Sequence, residues 1–118
     1  MKDKPIIIIN GEPNSIFLEL LFKSLKYKKF KSPIILISSL DLLNLHIKKL
    51  KYKSKINLIN LKDLHDYNLK KNSINLINIK INVKKVINNK TESNRFISKS
   101  FEVGLKIMKL GITNRFIN

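Results

Sequence analysis

Pro5-Ile6-Ile7-Ile8-Ile9-Asn10-Gly11-Glu12-Pro13 decides the fold of this chain. Four isoleucines in a row, closed by Pro5 and by Asn10-Gly11, form a short continuous apolar run. Such a run suits a strand buried on both faces, as in a parallel sheet. The turn Gly11-Glu12-Pro13 then leads into Ile16–Leu25, which is apolar at 16, 17, 18, 20, 21, 22 and 25. That pattern predicts a well-buried helix, capped by Asn14 or Ser15.

The same alternation continues outward. Pro33 opens a second strand, Ile34–Ile37. Ser38, with Asp41 three residues on, resembles a capping box. Leu40, Leu43, Ile47 and Leu50 mark one face of the following helix, and Lys48 and Lys49 fall in its last turn, where cations suit the helix dipole. A third strand is expected at Ile56–Ile59. Leu61–Asn72 reads as a short helix or a loop. Ser73–Val83 alternates apolar and polar residues, which predicts a strand near an edge or with one wet face. Val86–Lys90 reads as a loop. Thr91 or Ser93 is expected to cap a long helix to about Leu110, with Ile97, Phe101, Leu105 and Met108 on one face and Gly111 as its stop. Thr113–Asn118 reads as the start of another strand. Ser93–Ser98 echoes that segment in sequence, yet one copy should begin a helix and the other a strand. Strand and helix alternate throughout, so the expectation is a single α/β domain with right-handed crossovers and a mostly parallel sheet.

Composition bounds the chemistry. A chain of 118 residues has room for one domain with a core. Cysteine is absent, which removes disulfides and thiolate metal sites. No apolar run reaches the roughly 18 residues of a membrane span, and Met1-Lys2-Asp3-Lys4 lacks the apolar stretch of a signal peptide, so the expected location is cytoplasmic. The net charge of +16 invites a nucleic-acid reading. Against it, lysine outnumbers arginine 22 to 2, and Ile, Lys and Asn together make 57 of 118 residues. All three can be encoded with A and T alone, so the composition is read mainly as a genome signature. Lysines spread along the chain suit a solvated surface. The clusters at 26–31 and 48–55, with Tyr27, Phe30 and Tyr52 interleaved, have the makings of a single-strand nucleic-acid surface, but they fall in helix-to-strand connections away from the strand tips.

Catalytic material is thin: eight acids and two histidines. In an open parallel sheet, ligands bind beyond the carboxyl ends of the strands, and the first such end is the turn Gly11, Glu12, Pro13. Gly11 allows close backbone approach and Glu12 is the acid at the tip. No dinucleotide fingerprint or P-loop accompanies it. His46 is expected near the polar flank of the second helix. Asp63-x-His65-Asp66 has a spacing that could hold a cation, though a solvated surface is its plainer reading.

Lys4–Pro13 resembles the start of the 4-hydroxythreonine-4-phosphate dehydrogenases of vitamin B6 biosynthesis, which open with a strand and Gly-(Asp/Glu)-Pro-Ala-Gly-Ile-Gly-Pro-Glu. Gly11, Glu12, Pro13, Ile16 and Glu19 match; Asn14, Ser15, Phe17 and Leu18 depart from it. Ser32–Ile37 and the Asp-Leu-Leu helix suit the family's second strand and helix. Gly111–Asn118 resembles the strand before its Gly-Pro-(Val/Ile)-x-Lys loop. The resemblance implies the first third of such an enzyme, so an incomplete three-layer α/β/α fold of the isocitrate/isopropylmalate-dehydrogenase type. It implies NAD and a divalent metal held by three histidines, a phosphorylated hydroxy amino acid as substrate, a homodimer, and oxidation followed by decarboxylation. The histidines and the phosphate-binding residues would lie beyond this segment, so no catalytic or metal residue is assigned within it, and the segment alone is expected to be inactive. It is also expected to aggregate or to stay partly molten when isolated. The alternative reading is a small basic RNA- or polyanion-binding module; a degenerate paralogue kept as a dimerisation piece is a third.

Overall fold

In the computed structural model, residues 5–13, 17–27, 32–51, 55–62, 69, 73–111, 113 and 116–117 are described. The strands are β1 (Ile6–Ile9), β2 (Ile34–Ser38), β3 (Ile56–Ile59), β4 (Ile74–Asn78) and β5 (Phe116–Ile117); the helices are α1 (Phe17–Tyr27), α2 (Leu40–Leu50), α3 (Val83–Asn88) and α4 (Lys90–Lys109). The five strands form one sheet in the order β3-β4-β2-β1-β5, and every pairing is parallel. This is an α/β fold, as the alternation of elements predicts.

The continuous isoleucine runs became the interior of the sheet. Ile34, Ile35, Leu36 and Ile37 are each no more than 1% exposed, so both faces of β2 are covered. Successive side chains of a strand point to opposite faces, so such burial needs helices on both sides. The chain steps from β1 to β2 and on toward β3 in one direction, and from β4 to β5 in the other. Right-handed crossovers therefore put α1 and α2 on one face and α4 on the opposite one. Consistent with this, α1 packs on α2, while α4 packs on β1, β2 and α3.

Several elements differ from the sequence reading. β4 lies between β2 and β3, in the interior of the sheet, and ends at Asn78. The alternation of Ser73–Val83 suggested an edge strand with a wet face, but Asn75 on the polar side is fully buried. Its Nδ2 donates to the Ile34 carbonyl at 2.9 Å, and its Oδ1 accepts from Asn57 Nδ2 at 2.9 Å. A buried amide with its donor and acceptor engaged costs little, so the polar residue marks a bonded interior position. Val83–Asn88, divided in the sequence reading between strand and loop, is the helix α3. Asn82 caps it by accepting from Lys85 N. Asn89, and neither Thr91 nor Ser93, caps α4, through Thr91 N and Glu92 N at 2.9 and 3.2 Å. The α2 cap is Ser39, one residue past the expected Ser38, which remains in β2. Leu42, left out of the expected α2 face, is fully buried, and Leu20 of α1, expected inside, is 53% exposed.

The buried face of α4 is Phe96, Ser100, Val103, Gly104 and Ile107, whereas of the expected Ile97, Phe101, Leu105 and Met108 three are half-buried and Leu105 is 55% exposed. The sheet meets the helix one residue earlier in each turn, where small side chains allow close approach. β5 forms at Phe116–Ile117 and α4 stops at Gly111, whose φ of 73° suits glycine. Asn14, Ser15, Asp63, His65 and Asp66 lie outside the described residues, as do Phe30 and Tyr52.

Candidate functional site

The carboxyl ends of the strands carry a connected set of polar groups. Asn10, the residue after β1, is buried, and its Nδ2 donates to Ser38 Oγ at 2.9 Å. Its backbone N–H continues the ladder to the Ile37 carbonyl. Asn78, at the end of β4, accepts from Leu40 N at 2.8 Å and so adds to the start of α2 beside the Ser39 cap. β1, β2, β4 and α2 are thus tied at one edge by short polar side chains. The isoleucine runs explain part of this: β1 and β2 are apolar through Ile9 and Ile37, and their first polar residues, Asn10 and Ser38, emerge at that edge.

The turn Gly11-Glu12-Pro13 sits on this edge, after β1. Positive φ among the described residues occurs at Lys51 and Gly111 and not at Gly11, so Gly11 contributes a missing side chain, not a left-handed backbone. Glu12 is exposed at its outer side, while its Oε1 accepts from Ser93 Oγ at 3.4 Å. Ser93 is buried in the first turn of α4. A carboxylate at a helix N-terminus also meets the positive end of the helix dipole. Glu12 therefore fastens the turn to α4, which the sequence does not reveal because 81 positions separate the two residues.

Pro13 is buried, and its carbonyl oxygen accepts a hydrogen bond from the His46 ring on α2. Burial, then the Lys49 ammonium, holds the His46 imidazole below its ordinary value; the Pro13 bond and Glu19 pull it partly back. The neutral ring is the native form. For a histidine with a lowered native pKa, the unfolded chain binds the extra proton first. Stability is then fully present above the ordinary value of 6.5 and is lost as pH falls through the lowered native value. Urea melts between pH 7.5 and 5 should show declining stability, and His46→Gln should flatten that decline. An unchanged slope would remove His46 as its source.

The expected site residues Gly11, Glu12 and Pro13 are therefore brought together with Asn10, Ser38, Ser93 and His46. Among the described residues, no group of three or more His, Asp or Glu side chains could hold a metal ion. No described helix is long and apolar enough to cross a membrane. No protein-family model and no curated protein matches the chain.

Proposed function

We propose that this chain is the opening α/β segment of an NAD-dependent dehydrogenase of the 4-hydroxythreonine-4-phosphate type, acting in the cytoplasm as a homodimer. The observation that carries the reading is the position of Gly11-Glu12-Pro13. β1 has β2 on one side and β5 on the other, and the chain leaves β1 toward β2. Strand order reverses there, and in open α/β sheets such a switch point is where ligands bind. The residues that resemble the family's opening motif thus lie where a site in this fold would open. The family's isocitrate/isopropylmalate-dehydrogenase-like layering accommodates a parallel sheet covered on both faces.

The described residues do not by themselves fit the divalent metal, and the nearby glycines of a dinucleotide fingerprint are lacking. No chemical step is assigned to them. Their role in this reading is architectural: Asn10, Ser38 and Glu12 hold the floor of a site whose reacting groups come from later residues.

Sequencing the transcript past the Asn118 codon, together with the mass of the native protein, tests this directly. A Gly-Pro-(Val/Ile)-x-Lys continuation, later histidines, and NADH formation from 4-phosphooxy-threonine by the longer protein are expected. A native protein of 13.8 kDa that retards RNA at 0.15 M salt would overturn the proposal in favour of a small basic binding module.

A further inference from the structure

A second feature of the carboxyl edge lies away from the turn. Beyond β3 and β4, facing α4, a groove of about 680 Å³ opens, within the range of small-molecule sites. Its apolar lining includes Ile59, Ile77, Ile79 and Val103. Its charged lining among the described residues is Lys80, Lys99 and Lys106.

These lysines come from two places in the chain. Lys80 lies two residues past the end of β4, while Lys99 and Lys106 stand seven residues apart on α4. That spacing, with the buried Val103 between them, sets both on one helical face. The nearby acid is Glu102, which Lys99 approaches at 3.9 Å and Lys106 at 3.5 Å. One carboxylate shared by two ammonium groups, with Lys80 added, leaves the groove two net positive charges. Both pairs are more than half exposed, so they hold their partners weakly and an incoming anion can compete for either lysine. An apolar floor beneath several cations fits a ligand with an apolar body and an anionic head.

We propose that this groove binds a small organophosphate, with its phosphate among Lys80, Lys99 and Lys106 and its apolar part against Ile77, Ile79 and Val103. The proposal stands independently of the dehydrogenase reading. It predicts selective protection in a chain whose many other lysines serve as internal controls.

The test is trace acetylation of the whole protein in 0.15 M salt, read lysine by lysine by mass spectrometry, with and without phenyl phosphate. Acetylation of Lys80, Lys99 and Lys106 should slow at least fivefold, while Lys23, Lys48, Lys84 and Lys109 change less than twofold. Benzyl alcohol, which has no charge, should protect none of them. Inorganic phosphate, which lacks the apolar body, should need at least tenfold higher concentration. Protection spread evenly over all lysines, equal potency of inorganic phosphate, or no protection at the three groove lysines would each overturn the proposal.

Discussion

Asn75→Asp should unfold the protein at neutral pH and spare it in mild acid. Asn75 is fully buried in β4, and its Nδ2 donates to the Ile34 carbonyl while its Oδ1 accepts from Asn57. An aspartate keeps the shape and loses the donor. Its ionised carboxylate would face the Ile34 carbonyl oxygen in the sheet interior. Leaving a buried charge uncompensated costs about 3–5 kcal/mol, a large share of the 5–15 kcal/mol that holds a typical domain together. The group escapes that cost by staying protonated, since burial raises a carboxyl pKa. Stability of the variant should therefore rise as pH falls from 7.5 to 5, opposite to the His46 trend in the parent chain. Denaturant melts across that range check it. A variant as stable as the parent at pH 7.5 would mean that Asn75 reaches water.

Leu36→Ala should cost about 2–5 kcal/mol, and Leu58→Ala about 0.5 kcal/mol or less. The two leucines occupy one rung of the sheet, since Leu36 and Leu58 both align with Leu76, and Leu36 also aligns with Ile8. Leu36 and Leu76 are fully buried, Ile8 is 6% exposed, and Leu58 is 52% exposed. Truncating Leu36 opens a cavity that rigid neighbours on both sides cannot collapse into. Truncating Leu58 trims an edge already in water. Urea midpoints of the two variants give the comparison, and equal losses would mean that β3 is covered in solution.

These two positions also show how far the sequence could be read. Burial on both faces turns a strand into an unbroken apolar run, so Ile6–Ile9 and Ile34–Ile37 declare themselves without tertiary knowledge. β4 did not. Its Asn75 satisfies its amide through β2 and β3, and a single chain carries no mark of a bond to the residue 41 positions earlier. Val83, Val86 and Ile87 had helical spacing with Asn82 as cap, but the alternation before them drew Val83 into a strand. The cap shifts from Ser38 to Ser39, and from Thr91 or Ser93 to Asn89, arise because adjacent small polar residues are interchangeable by propensity. Backbone position alone decides which one turns toward the open N–H groups. The turn Gly11-Glu12-Pro13 was legible because it is local. The Lys80–Lys99–Lys106 groove was not, since lysines fill the whole sequence and only the packing of α4 over the sheet selects three of them.

The pairing of Ile7 with Phe116 has a consequence for synthesis of the chain. β1 is made before its neighbour β5, which follows about 110 residues later. At translation speeds of roughly 5–20 residues per second, β1 waits on the order of 5–20 s with one side unpaired. β2 reaches it early, but the other flank of an all-isoleucine strand stays open to stray partners for that interval. The nascent chain is therefore at its stickiest before β5 emerges, and chaperone occupancy measured along the transcript should end where β5 does.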